Sequence, residues 1–309
     1  MKITKKTQKI LDNYSSELPS VKAKLYNILM SGKLAGTGNL VILPVDQGLE
    51  HGPDRSFAKN VSAYDPEYHY NLAIDAELSA YAAPYGFLSA CVDKFAGQIP
   101  TILKMNSNNS LISSENQPDQ AITSSVKDAL DLGCSAVGFT IYPGSDNSIS
   151  LIEEAKEIIR EAKSYGLASV IWSYPRGAGI SKKGETAVDI CAYAAHIAAL
   201  IGAHIIKVKP PTDYIEQPEV QKIVKEQNID LSTLKSRVNH VTKSCFNGKR
   251  LVVFSGGSSK DKDSILSEIK QIKEGGGSGS IIGRNTFQRE RSDALDMLWQ
   301  VCSIYKSNI

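Results

Sequence analysis

The chain has 309 residues and a formal net charge of +2, long for one ordinary core but normal for a barrel, where about 250 residues form one domain, and too near neutral for nucleic-acid binding to be its main business. Its five cysteines, at 91, 134, 191, 245 and 302, are scattered with no CxxC pair and no Cys/His cluster, so neither a disulfide framework nor a zinc site is suggested and a reducing cytoplasm is expected. The opening residues lead to no apolar signal core, and no run approaches the roughly 18 apolar residues of a membrane span.

Residues 1–38 are polar and helical in pattern, over 5–14 and 21–31, until Gly32, Gly36 and Gly38 break it. This segment reads as a helical extension that covers the bottom of the fold or makes an oligomer contact. From residue 39 a rhythm begins. Residues 40–46 (LVILPVD) read as a buried strand, followed by a polar loop over 47–65 and a helix over 68–78. Residues 80–86 and 101–106 are strand-like, and a polar loop over 106–118 leads to a helix over 119–132 stopped by Gly133. Strands over 136–142 and 168–174 follow, with a helix between them that ends at Gly166. A helix over 186–201, again closed by glycine, precedes a strand over 204–209. Two helical stretches over 217–246, a strand over 250–255, a helix over 261–274, a short strand over 279–283 and a last helix over 287–306 complete the chain.

Continuous apolar strands separated by helices imply a parallel sheet covered by helices. Eight such units predict an α/β fold of the (β/α)8 TIM-barrel type over 39–309, with 1–38 as its N-terminal helical extension. An open doubly wound sheet is the alternative, since about five or six of these strands would make one. No Gly-x-Gly-x-x-Gly follows the first strand, and the glycine run at 275–279 follows a helix, the wrong context for a nucleotide loop.

The chemistry concentrates at the C-terminal ends of the strands, where barrel active sites lie. Residues 204–211, His-Ile-Ile-Lys-Val-Lys-Pro-Pro, place Lys207 and Lys209 on one side of an apolar strand. Solvated lysines on an edge strand are one reading. The other is a desolvated amine whose pKa a cationic neighbour lowers, so that it attacks a carbonyl. The remaining strand ends offer Asp46 and His51, Lys104, then Trp172, Tyr174 and Arg176, then Ser255, Gly256 and Gly257, then Gly283 and Arg284. Glycine turns after strands seven and eight are where many barrels hold a phosphate through backbone N–H groups, and Arg284 adds a fixed charge. Each residue also has a plain role open to it. Asp46 could cap a helix, Trp172 and Tyr174 could be core aromatics, Arg176 a surface ion pair, His51 a solvated loop residue, Lys104 structural, and the glycines mere turns. The coincidence at one mouth carries the reading. His69, His196, His204 and His240 have no triad spacing.

Val41-Ile-Leu-Pro-Val-Asp-Gln-Gly-Leu-Glu-His-Gly-Pro53, Trp172-Ser-Tyr-Pro-Arg-Gly177 and Ile206-Lys-Val-Lys209, in this order, resemble the archaeal-type class I fructose-1,6-bisphosphate aldolases, which also occur in bacteria. The resemblance implies a (β/α)8 barrel with a Schiff-base lysine on strand six, a role that falls on Lys209. It implies Tyr174 as the proton-transferring tyrosine, Asp46 as the acid that contacts substrate hydroxyls, and Trp172 as pocket lining. It further implies Arg176 and His51 near the 6-phosphate, and Ser255, Gly256, Gly283 and Arg284, with Gly257 beside them, around the 1-phosphate. Lys207 would then keep Lys209 unprotonated. The implied reaction is reversible cleavage of fructose 1,6-bisphosphate to dihydroxyacetone phosphate and glyceraldehyde 3-phosphate, without metal or other cofactor, by a cytoplasmic, large homo-oligomeric enzyme of glycolysis or gluconeogenesis. It acts on a sugar phosphate and has no nucleic-acid or membrane partner. A related Schiff-base barrel enzyme acting on another phosphorylated ketose, and a non-catalytic sugar-phosphate binder, are the competing readings.

Overall fold

The computed structural model describes residues 2–112, 118–256 and 261–307. Eight strands, β1 (Leu40–Pro44), β2 (Ala80–Ala83), β3 (Thr101–Lys104), β4 (Ala136–Ile141), β5 (Ala168–Ser173), β6 (Ile205–Val208), β7 (Leu251–Ser255) and β8 (Gly279–Ile281), close into a barrel. Every neighbouring pair is parallel, and β8 closes the ring by pairing Gly279–Ile281 with Leu40–Ile42. This is a (β/α)8 barrel. Among the described residues no helix is long and apolar enough to cross a membrane.

Strand alternation splits the apolar residues into two cores. Leu40, Ile42, Ala80, Ala82, Ile102, Ala136, Ala168, Val170, Trp172, Ile205, Leu251, Val253 and Ile281 fill the barrel interior. Their neighbours, among them Val41, Leu43, Leu103, Phe139, Ile171, Ile206, Val208 and Phe254, face outward against the helices. Small interior residues on β2, β4 and β5 leave room for one large side chain, the indole of Trp172. Gly138 on β4 is the residue that admits it, because a Cβ there would lie 2.5 Å from the indole ring.

The N-terminal extension seals the opposite end. Helices Lys5–Asp12 and Pro19–Leu29 bring Leu11, Tyr14, Val21, Leu25, Ile28 and Leu29 against the interior core. The Tyr14 hydroxyl donates to the His204 carbonyl at 2.6 Å and accepts from the Leu251 amide at 3.1 Å. It thereby bridges the starts of β6 and β7. These helices thus pack across the floor of the barrel.

Several boundaries differ from expectation, each for a local reason. The stretch over 47–65 is not a plain loop: it forms helices Gln47–His51 and Pro53–Phe57 and a 3-10 turn at Val61–Tyr64. Gly52 at φ 82 separates the two helices, and Pro53 suits the first turn of the second. β2 stops at Ala83 because Pro84 leads into helix Tyr85–Ser89. The helix expected over 119–132 is only Val126–Asp131, started by a Ser125–Asp128 capping box, while Ala121–Ile122 pairs antiparallel with Asn106–Ser107. The last helix begins at Arg291, after a separate turn at Arg284–Phe287. β6 ends at Val208, one residue before Lys209.

Candidate active site

The strand ends converge as expected. Asp46, His51, Lys104, Trp172, Tyr174, Arg176, Lys207, Lys209, Ser255, Gly256, Gly283 and Arg284 all line one cavity of about 780 Å³ at the C-terminal mouth of the barrel. Gly257 lies outside the described residues. Among those residues, no three His, Cys, Asp or Glu side chains gather as a metal site.

Trp172 is the floor of this cavity. Lys207 stands beside it in register on β6, its Nζ 5.4 Å from the indole and 5.5 Å from the ring of Tyr174. Lys104, from β3, reaches the same indole with Nζ at 5.7 Å. Both lysines are buried, 5% and 3% exposed. Burial, the largest influence, pushes Lys207 down to about 8, helped by the charges of Lys104 and Arg284 and opposed by Asp46 and Glu50. Lys104 is likewise pushed down to about 8 by burial, against Asp46 and Glu50.

Lys209 is in a different situation from the one expected of it. It sits past the end of β6, its side chain is 21% exposed, and its Nζ lies 2.9 Å from the Glu185 carboxylate. Glu185 also takes Lys182 at 2.8 Å. The buried amine without a hydrogen-bonded carboxylate is Lys207, whereas the resemblance points to Lys209 for the Schiff base.

The Tyr174 hydroxyl is hydrogen-bonded to Ser255, and burial, with Asp46 and Glu50 beside it, holds the phenol well above its ordinary range. It stays a proton donor at neutral pH. Asp46 does occupy the N-cap position of helix Gln47–His51, yet its side chain makes no capping bond, so its carboxylate is left to the cavity it lines. The same helix brings in Glu50, whose Oε1 lies 3.4 Å from Arg176 Nη1 and whose Oε2 lies 3.8 Å from His51. Arg176 also packs over the ring of Tyr142 at 5.2 Å. Burial first, then the charges of Arg284, Arg55 and Arg176, lowers His51 against the pull of Glu50. On the far side, Asn285 Nδ2 donates to the Gly256 carbonyl at 3.0 Å. Gly283 is required by close approach, since a Cβ there would come within 2.7 Å of the Pro44 carbonyl.

The model of the DeoC/LacD family aldolases matches residues 40–289. The chain belongs to that aldolase family. Two curated relatives are a probable fructose-bisphosphate aldolase class 1 of Chlamydia muridarum and the fructose-bisphosphate aldolase class 1 of Thermoproteus tenax. The first is 37% identical over 92% of this chain and 84% of its own length. The second is 37% identical over 84% of this chain and 87% of its own length. A solved archaeal fructose-1,6-bisphosphate aldolase, with its catalytic lysine covalently bound to the carbinolamine intermediate of the substrate, superposes with a TM-score of 0.72. It is 33% identical and covers 87% of this chain and 94% of its own.

Two side chains of the aldolase mouth escaped the sequence reading. Glu50 had a signal: it stands four residues after Asp46, the spacing that brings two side chains to one helix face. Arg237 had none. It comes from helix Leu234–Ser244, where its Nε donates to the Pro211 carbonyl at 2.9 Å and its Nη1 to the Leu231 carbonyl at 2.9 Å.

Proposed function

We propose that this chain is a class I fructose-1,6-bisphosphate aldolase in which Lys207, not Lys209, forms the Schiff base. The observation that carries the assignment is the contrast between the two amines: Lys207 is buried with no hydrogen-bonded carboxylate, while Lys209 is clamped by Glu185. A covalent amine nucleophile must be neutral when it attacks, and desolvation achieves that.

The reaction then runs as follows. The free Lys207 amine adds to the C2 carbonyl of the open-chain sugar bisphosphate, giving a carbinolamine. Loss of water leaves an iminium, a stronger electron sink than the ketone. As the C4 hydroxyl gives up its proton to Asp46, the C3–C4 bond breaks and its electron pair moves into the iminium. Glyceraldehyde 3-phosphate leaves, and an enamine of dihydroxyacetone phosphate remains on Lys207. Tyr174 protonates the enamine carbon, and water hydrolyses the iminium to free the second product and the amine. Arg176, His51, Ser255, Gly256 and Arg284 all line this cavity, and the two arginines supply the fixed positive charge that a bisphosphate calls for.

The test is cleavage of fructose 1,6-bisphosphate in EDTA, followed by coupled assay of both triose phosphates. Turnover that Lys207→Ala abolishes is expected. Turnover only with a different phosphorylated ketose would replace the substrate. Tight binding with no turnover on any ketose would make the chain a binder and not an enzyme.

A further inference from the structure

The chemistry above leaves Lys104 without a task, although burying it is costly. A desolvated ammonium is expensive unless it is paired, and Lys104 is 3% exposed with no carboxylate hydrogen-bonded to it. Its partners are both on Asn106: the side-chain Oδ1 at 2.8 Å and the backbone carbonyl. The Asn106 amide cannot turn over. Its Nδ2 donates to the Thr140 carbonyl at 2.9 Å and its Oδ1 accepts from the Thr140 amide at 2.7 Å. A backbone N–H can only donate and a carbonyl only accept, so β4 fixes the amide with its oxygen toward Lys104.

The two amines over the Trp172 indole are therefore not equivalent. Lys104 faces two fixed oxygen acceptors that suit an ammonium. Lys207 faces an indole, the ring of Tyr174 and no hydrogen-bonded oxygen. Resting on the reading that Lys207 forms the Schiff base, we propose that Lys104 is a positioning residue whose ammonium, held by the two Asn106 oxygens over the same indole as Lys207, keeps the nucleophile neutral. The charged and titratable groups that line the cavity with Lys207 are Asp46, Glu50 and His51 from the β1 side, Lys104 from β3, Tyr142 after β4, Tyr174 and Arg176 from β5, Lys209 (held by Glu185) and Asp213 after β6, Arg237, Glu268, and Arg284 after β8. The two carboxylates favour a proton on Lys207, whereas the ammonium of Lys104 opposes one, in line with its lowering influence on that group. On this proposal the lysine that acts on Lys207 comes from β3, three strands away, and not from two residues along the chain.

The deciding experiment is the pH dependence of kcat/KM for fructose 1,6-bisphosphate cleavage, which reports free-enzyme ionisations, in wild type, Lys104→Met and Lys104→Arg. Removing the charge moves the acid limb of the Met variant upward, by about one pH unit, the scale on which a like charge in the same site acts. The Arg variant keeps its limb at or below the wild-type position. An unmoved limb in Lys104→Met, however far kcat falls, overturns the proposal, as does an equal upward shift in both variants. Should the Met variant not fold, Lys104→Gln replaces it with the same expected shift and the same contrary result. Borohydride trapping on wild type keeps the two inferences apart. An adduct on Lys207 with an unmoved limb removes only the role of Lys104, while no adduct on Lys207 removes the reading beneath it.

Discussion

The floor and the mouth of this barrel both bury charged groups, and they treat them in opposite ways. At the floor the Glu17 carboxylate takes Lys163 at 2.8 Å, and the Ser169 amide donates to His204 Nδ1 at 2.9 Å. Burial alone would push Glu17 up, but its bonds to His204 and Lys163 hold it down at about 2. At the mouth Lys104 and Lys207 are as deeply buried, yet neither has a hydrogen-bonded carboxylate. Charge at the floor is matched by opposite charge and contributes to holding the N-terminal helices in place. The two buried lysines at the mouth are left without such a partner, which costs stability and lowers their pKa values. That cost is the physical signature of a reactive site.

The largest expected effect comes from removing the amine. Lys207→Met should lower kcat by about four orders of magnitude or more, as losses of covalent nucleophiles do, while its melting temperature matches or exceeds wild type. A variant with a much lower melting temperature would mean that Lys207 belongs to a compensated network, as the floor residues do. Tyr174→Phe is expected to cost about 10²–10⁴-fold in kcat, the usual range for a lost acid–base group; a loss below tenfold would take the proton transfer away from this phenol.

Stability against pH sharpens the comparison further. Lys207 falls from 10.5 to about 8 on folding. Between those values the unfolded chain binds the proton more tightly, so this residue's contribution to stability rises with pH across the window. Below about 8 both states are charged and the burial penalty is felt in full. The stability advantage of Lys207→Met over wild type should therefore shrink as pH rises from 8 towards 10.5. An advantage that stays constant would mean the ammonium is not desolvated.

At the floor the expectation is reversed. Tyr14→Phe leaves the buried Leu251 amide without its partner and should cost about 1–3 kcal/mol of stability, with kcat/KM of the folded protein unchanged. A changed kcat/KM at full stability would show that the two ends are coupled. The smallest effect is expected from Lys209→Met, which removes a partly buried ion pair and should leave the cleavage rate within about tenfold of wild type.

The barrel was legible because each strand is a short apolar run and a glycine closes most of the helices. The mouth was legible as a list, since strand ends in a barrel must meet. What the sequence hid was the relation between residues on different strands. The acceptor set of Lys104 depends on Asn106 being locked by Thr140, which needs the β3–β4 register. The difference between Lys207 and Lys209 depends on where the ladder stops before Pro210 and on Glu185 arriving from the loop after β5. The polar run after β1 looked like a loop because its helices are only five residues each, too short for a periodic pattern to show.

The central claim is that the buried lysine of the pair is the nucleophile. Borohydride reduction in the presence of fructose 1,6-bisphosphate and EDTA, followed by peptide mass spectrometry, tests it in one step. The account predicts a stable substrate-derived adduct on Lys207. An adduct on Lys209 would contradict it, because the lysine bound to Glu185 would then have outcompeted the more deeply buried amine beside Trp172.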